Sequence, residues 1–124
     1  MKYMLLIHQG TTPTPQTPEA WARLSPDEQQ AVFAAYKALN ETPGVTPGIG
    51  MQPPELATTV RVREGRTLTT DGPFVSVKEA LGGYFLLECA SMDEAVDWAA
   101  RIPGAHHGAV EVRPVYVDPE EVQL

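Results

Sequence analysis

The sequence predicts a single α+β domain, and two observations support this fold class. Two short apolar runs, at residues 3–7 and 83–89, have the composition of buried strands. Each run is followed by a segment with helical periodicity and then by a further β-rich segment. A length of 124 residues fits one domain, and the 43% of residues that are apolar can fill one core.

In the first half of the chain, residues 3–7 are predicted to form a central strand that is buried on both faces. The Thr/Pro-rich stretch 9–16 is predicted to be a loop. Ser25 and Glu28 have the spacing of a capping box, in which each side chain bonds the other residue's backbone N–H. We expect a helix over 27–41 that stops at Pro43-Gly44.

In the second half, residues 45–51 are predicted to be an irregular edge strand because they contain proline and glycine. The runs 58–63 and 66–70 are separated only by Glu64-Gly65, which predicts a β-hairpin with a two-residue turn. A strand at 83–89 leads into a second capping box, Ser91 to Glu94, and a helix that ends at Pro103-Gly104. Residues 110–113 alternate as a half-buried strand should.

This order of elements is typical of the split βαβ arrangement of ferredoxin-like folds, here with an extra β-hairpin. Right-handed crossovers place both helices on one face of the sheet, so the chain itself does not cover the opposite face. Because the two central strands are apolar on both sides, an exposed face of this size calls for a partner. We therefore expect a homodimer that forms through the open sheet face.

Composition restricts the possible partners and the location. The formal net charge of −7 repels phosphate backbones and anionic lipid, so we predict no nucleic-acid and no membrane partner. Cys89 is the only cysteine, which excludes a disulfide within the chain and suits a reducing compartment. No apolar run has the length of a signal peptide or a membrane span, so we expect a cytoplasmic protein.

Several segments together resemble one known family over nearly the whole chain. The most specific are Asp-Gly-Pro-Phe at 71–74, Lys-Glu at 78–79 and Gly-Gly at 82–83, with further support at 1–7, 24–26, 52–54, 58–63 and 110–115. The chain thus resembles the DGPF family of YCII-related proteins. The resemblance implies a ferredoxin-like fold assembled as a dimeric α+β barrel, with no established activity. It also implies links to sigma factors in some members, and to small enzymes with a proposed His–Asp pair among more distant YCII proteins.

Asp71 and His8 are the candidate catalytic residues. Asp71 ends the predicted hairpin before Gly72-Pro73, where an extended chain can hold its carboxylate at a cavity rim as a general base. The alternative is that Asp71 accepts backbone N–H bonds within its own turn. Histidine exchanges protons near neutral pH, so His8 suits general acid–base catalysis.

Five further residues are candidates for ligand binding. Tyr36 and Lys78 can position a ligand through their polar groups, although a core position and a solvated turn explain them equally well. Phe74 can line a pocket or fill the core. Gly82 and Gly83 permit close approach of a ligand or of backbone, and a flexible connector is the alternative.

The histidines are expected at one edge of the sheet, because His8 ends the first strand and His106 and His107 precede the last. We expect the strand at 83–89 to run parallel to the first, which would bring Glu88 and Cys89 to the same edge. The sequence has no metal-ligand spacing such as HxxxH or CxxC. A His/His/Glu or His/Cys grouping could bind a transition metal, but without such spacing we predict no metal site. We also predict no cofactor.

Three arginines, Arg61, Arg63 and Arg66, surround the predicted hairpin turn and should project to one face. They can receive an anionic ligand or an acidic partner surface, or they can protect the hairpin from edge-to-edge association.

Two functions remain open from sequence. The first is a dimer that binds a small molecule, with Asp71 and His8 available for acid–base catalysis. The alternative is a regulatory or interaction module linked to transcription initiation, which acts by protein contacts and not by DNA binding. A closed pocket with a partly buried Asp71 favours the first function, and a second exposed apolar patch favours the alternative.

Overall fold

The computed structural model describes residues 1–15, 17–72 and 81–117, and all structural statements refer to these residues. The six strands and three helices follow in chain order: β1 (Lys2–His8), α1 (Pro18–Ala22), α2 (Pro26–Asn40), β2 (Val45–Gly50), β3 (Thr58–Arg63), β4 (Arg66–Asp71), β5 (Leu81–Glu88), α3 (Met92–Ala99) and β6 (Ala109–Pro114). Short 3-10 turns lie at Pro54–Leu56 and Pro103–Ala105.

The main sheet has the strand order β2-β5-β1-β6, and every neighbouring pair is antiparallel. Two βαβ units, β1-α2-β2 and β5-α3-β6, interlock so that β1 and β5 are the central strands. This is the predicted ferredoxin-like arrangement. The additional elements are α1 before α2 and the β3–β4 hairpin between β2 and β5.

One face of the sheet and both long helices share a single core. The inward side chains of β1 and β5 pack with Leu39 of α2, with Ala95 and Ala99 of α3 and with Ile102. Both helices therefore lie on the same face, as the crossover rule predicts. On β1 the burial alternates between full and partial, so only one of its faces is fully covered by this chain.

Both helix starts follow from the sequence. Ser25 Oγ accepts a hydrogen bond from the Glu28 N–H, and Ser25 N–H donates to Glu28 Oε1, which completes the predicted capping box. At α3, Ser91 Oγ accepts from the Glu94 N–H, but Glu94 Oε2 accepts from the Ala90 N–H instead of from Ser91. Ser91 is therefore the N-cap, as predicted, and only the reciprocal bond of the capping box is displaced by one residue.

The uncovered side of the main sheet, which we call the open face, carries Met4 and Leu6 of β1 opposite Leu86 and Tyr84 of β5. These four side chains are half-buried by their neighbours on the sheet. His8 continues the same row and lies opposite Ala109 of β6. No helix in the described ranges combines the length and the apolar character needed to cross a membrane.

The predicted direction of β5 is wrong. β5 runs antiparallel to β1, with Lys2 opposite Glu88 and His8 opposite Leu81. Glu88 and Cys89 therefore lie at the end of the sheet away from His8. In the split βαβ arrangement, β1 and β2 run parallel to each other with β5 between them. β5 is antiparallel to both of these neighbours.

The β3–β4 hairpin, which we call the arm, forms as predicted. All six residue pairs from Thr58 opposite Asp71 to Arg63 opposite Arg66 are in register. Glu64 and Gly65 both have positive φ, 51° and 75°, which is the conformation of a two-residue turn of type I′. The arm makes its own two-stranded sheet and does not join the main one.

Candidate functional site

A cavity of about 220 Å³, the inner chamber, lies between the main sheet and α2. Its walls come from the end of β1 with the following loop, from one side of α2, from β2 and from the start of β5. The principal lining residues are Gln9, Thr12, Thr14, Val32, Phe33, Tyr36, Asn40, Gly82, Gly83 and Phe85. The chamber has room for about seven water molecules at liquid density, so its occupant is small.

The loop after β1 is held against the sheet by its own threonines. Thr11 donates from both its N–H and its Oγ1 to the His107 carbonyl, each at 3.4 Å. Thr14 N–H donates to Thr17 Oγ1, and Thr17 Oγ1 donates to the Thr14 carbonyl, both at 2.9 Å. These bonds fix the segment between them, which places Thr12 in the chamber wall.

Two buried polar atoms of this wall have no hydrogen-bond partner among the described residues: Gln9 Oε1 and Thr12 Oγ1. Thr12 is only 6% exposed. Such an atom costs stability, so natural proteins rarely leave one in place unless a water, an ion or a ligand satisfies it. In this wall, therefore, the described residues do not complete the hydrogen bonding of two buried polar atoms.

Tyr36 forms the opposite side of the chamber. Its ring stacks on Phe85, with centroids 6.2 Å apart and an interplanar angle of 14°. Burial raises the pKa of the Tyr36 hydroxyl, and a side-chain hydrogen bond with Gln9 offsets part of this rise. Tyr36 therefore stays protonated at neutral pH and can donate a hydrogen bond without acting as a base.

The inner chamber is electrically neutral along the part of its wall that the structure describes. Its lining residues there include tyrosine, threonine, glutamine and asparagine, but no Asp, Glu, Lys, Arg or His. A charged group would lose its hydration in such a chamber without gaining a counter-charge. The chamber can therefore bind a molecule through hydrogen bonds with neutral groups and through contact with an aromatic and aliphatic surface.

Glycines give the chamber its shape. A Cβ at Gly82 would lie 2.3 Å from Gln9 Cγ, and one at Gly83 would lie 2.6 Å from the Ile49 carbonyl oxygen. A Cβ at Gly48 would meet the Phe85 ring at 2.6 Å. Gly82 and Gly83 both line the chamber and belong to β5, which begins at Leu81, two residues before the predicted start of the strand at residue 83.

A second, wider cavity of about 730 Å³, the outer cavity, adjoins the same loop on the side of α1 and the 51–55 segment. It shares Gln9, Thr12, Thr14 and Gly82 with the inner chamber. Unlike the inner chamber, it is also lined by charged residues, namely Glu19, Arg23 and Glu55. The two cavities therefore lie on either side of the same loop and differ in charge.

The two predicted catalytic residues stand apart from the inner chamber and from each other. His8 lies on the open face, where its Nε2 is 3.9 Å from Glu111 Oε1, and Glu111 Oε2 is 3.4 Å from Arg113 Nε. Asp71 ends the arm and is exposed. Within one chain, therefore, the structure does not bring these two side chains to the same site.

The remaining predicted residues divide into two groups. Tyr36, Gly82 and Gly83 meet at the inner chamber. Phe74 and Lys78 lie outside the described residues, as does Pro73. Within the described part of the chain, no three His, Cys, Asp or Glu side chains are grouped as metal ligands would be.

Sequence reasoning misses Gln9 and Thr12, since a Thr/Pro-rich stretch indicates only a loop. The sequence does contain one signal for this site: several hydroxyl-bearing residues directly follow the first apolar strand. In ferredoxin-like folds, this end of the strand leads into the first helix. Their burial cannot be predicted from periodicity, because a loop has none.

Comparisons with known proteins give three findings. The family model of the YCII-related domain matches residues 1–118. The uncharacterized protein R00369 of Rhizobium meliloti (strain 1021) is 33% identical over an alignment of 121 positions, and the match covers 93% of this chain and 92% of that protein. A solved structure of 5-chloro-2-hydroxyhydroquinone dehydrochlorinase (TftG) from Burkholderia phenoliruptrix AC1100, in complex with 2,5-dihydroxybenzoquinone, matches with a TM-score of 0.48 at 14% identity. That match covers 98% of this chain and 100% of the other.

Proposed function

The chain belongs to the YCII-related domain family, and we propose that it binds a small, uncharged molecule in the inner chamber. One observation carries the proposal: Thr12 Oγ1 is buried in the chamber wall and has no partner among the described residues. A buried polar atom without a partner lowers the stability of the free protein. Evolution retains such an atom where it forms a hydrogen bond with a bound ligand.

The chamber wall defines the chemistry of the ligand. Gln9 Oε1 can accept a hydrogen bond, Thr12 Oγ1 can donate or accept one, and the Tyr36 hydroxyl can donate one. The stacked rings of Tyr36 and Phe85 favour a flat apolar body beside these groups. The expected ligand is a compact ring or amide that bears a neutral hydroxyl or N–H group.

Proton transfer by His8 and Asp71 is a separate hypothesis. Neither residue lines the inner chamber of its own chain, so catalysis there requires that a second copy supply one of them. The transcription-linked alternative also stays a prediction, since none of the proteins named above has a name that refers to transcription.

A homodimer through the open face is part of the proposal. Met4, Leu6, Tyr84 and Leu86 form a continuous half-buried apolar row at the centre of the sheet, and β-sheet faces of this kind pack against one another at about 10 Å. Leu6→Glu places a charge in this row, so light scattering should show a monomer, whereas Val96→Glu on exposed α3 should remain dimeric. A wild-type monomer at working concentration would refute this part.

The binding proposal is tested by NMR with a library of uncharged phenols, anilides and lactams, and with matched carboxylates and alkylammonium ions. Neutral compounds should shift the amide signals of Tyr36, Asn40, Gly83 and Phe85, which line the inner chamber but not the outer cavity. Val32→Trp fills the chamber from α2 and should abolish these shifts, whereas Val96→Trp, on the exposed side of α3, should not. Shifts only at the outer cavity, or binding only of charged compounds, would contradict the proposal.

A further inference from the structure

The arm is separate from the body of the protein. Its strands β3 and β4 pair with each other along their full length, whereas none of the described helices or strands packs extensively against them. At its base, Gly72 N–H donates to the Ala57 carbonyl and Thr59 Oγ1 donates to the Gly72 carbonyl, both at 2.7 Å. A two-stranded hairpin alone is at best marginally stable in water, so an ordered arm needs a surface to pack on.

One face of the arm is made of β-branched side chains that lie in solvent. Val60 and Val62 are 59% and 67% exposed, and the β4 residues opposite them are Thr69 and Thr67. Valine and threonine are the residues that strands use for packing against another surface. Two exposed valines that neighbour each other on one face of an edge strand also invite association, which a protein tolerates where the association is functional.

The other face of the arm is positively charged at its tip. Arg63 lies directly opposite Arg66, and Arg61 is the next residue on the same face. Like charges directly opposite each other destabilise a hairpin, and a negatively charged surface would remove this penalty. With Glu64 and Asp71 included, residues 58–71 carry a formal charge of +1. The chain as a whole carries −7, so the rest of it carries −8.

We propose that the arm docks on the body of a second copy of this chain. The second copy supplies the negative surface that removes the repulsion between Arg63 and Arg66. The described part of the arm's own chain leaves Val60 and Val62 exposed and so does not provide the packing surface. The opposite net charges of arm and body then favour contact between the arm of one copy and the body of the other.

The first test is cross-linking in purified protein. A photo-reactive phenylalanine analogue replaces Val62 in ¹⁵N-labelled chains, which are mixed with unlabelled wild-type chains before irradiation. We expect a product of twice the chain mass whose cross-linked peptides combine labelled with unlabelled segments from outside residues 58–71. Cross-links within one chain, cross-links only to residues 58–71 of the other copy, or no cross-link at all would each overturn the proposal.

The second test compares self-association by sedimentation equilibrium. Val60→Ser/Val62→Ser and Arg63→Gln/Arg66→Gln should each weaken it at least about tenfold, which corresponds to about 1.4 kcal/mol. High salt should reduce the effect of the arginine pair only. Val117→Ser, a change at another exposed valine, is the matched control and should have no effect. Unchanged association in both arm variants refutes arm docking, while ligand binding in the inner chamber is measured independently by NMR.

Discussion

Replacing Thr12 by valine should change the stability of the free protein and its affinity for a ligand in opposite directions. Valine has nearly the shape of threonine and the same branching at Cβ, so the loop should keep its conformation. The change removes a buried hydroxyl that has no partner among the described residues and puts a methyl group in its place. The structure therefore predicts a more stable protein that binds its ligand more weakly.

The size of the effect follows from the burial of Thr12. An unsatisfied buried hydroxyl costs about 1–3 kcal/mol, and Thr12 is only 6% exposed, so most of this penalty applies. Removing it should raise the free energy of unfolding by at least about 1 kcal/mol. For a domain of this size, that corresponds to a rise in Tm of roughly 4 °C.

Thr14 provides the matched control, since it is also buried, at 7% exposure, two residues away. Its Oγ1 lies 3.5 Å from Thr17 Oγ1, so Thr14→Val loses a contact and should lower the free energy of unfolding by about 0.5–1.5 kcal/mol. Urea denaturation with circular dichroism measures both variants. If Thr12→Val lost as much stability as Thr14→Val, its hydroxyl would be satisfied in the free protein and would not mark a ligand site.

Two further predictions concern the helix cap and the chamber wall. Hydrogen bonds from the Ser25 backbone and side chain lower the pKa of Glu28 from its usual 4.5, so its charge stabilises the fold above that pH. The stability advantage of wild type over Glu28→Gln should therefore be present at pH 7 and disappear at pH values below the lowered pKa, as urea titrations can show. Gly48→Ala puts a methyl group 2.6 Å from the buried Phe85 ring and should cost about 1–3 kcal/mol in thermal unfolding, with displaced Tyr36 ring signals in NMR spectra.

Most of the fold is predictable because its signals are local. The capping residue Ser25, the Glu64-Gly65 turn and the apolar runs each specify a short element through nearby atoms. The direction of β5 is not local information. A continuous apolar strand looks the same read in either direction, so only the complete chain path decides that Glu88 lies beside Lys2 and not beside His8.

The candidate site is predictable only where a regular element supplies it. Tyr36 can be proposed because its spacing on α2 turns it towards the core, and Gly82-Gly83 because glycine pairs at a strand mark close approach. Thr12 and Gln9 come from a loop whose path is set by distant partners such as the His107 carbonyl. A sequence motif cannot encode that contact without the fold that creates it.

The chain contains more apolar residues than it can bury by itself. Leu6 and Leu86 on the open face belong to this excess, as do Val60 and Val62 on the arm. The hydrophobic effect is non-directional, so the exposed apolar residues alone do not identify the surface that covers them. Charge can indicate the partner: the arginine pair at the arm tip calls for a surface of opposite sign, and the rest of this same chain, with a net charge of −8, is a candidate for that surface. Mixed isotopic cross-linking decides between that surface and any other.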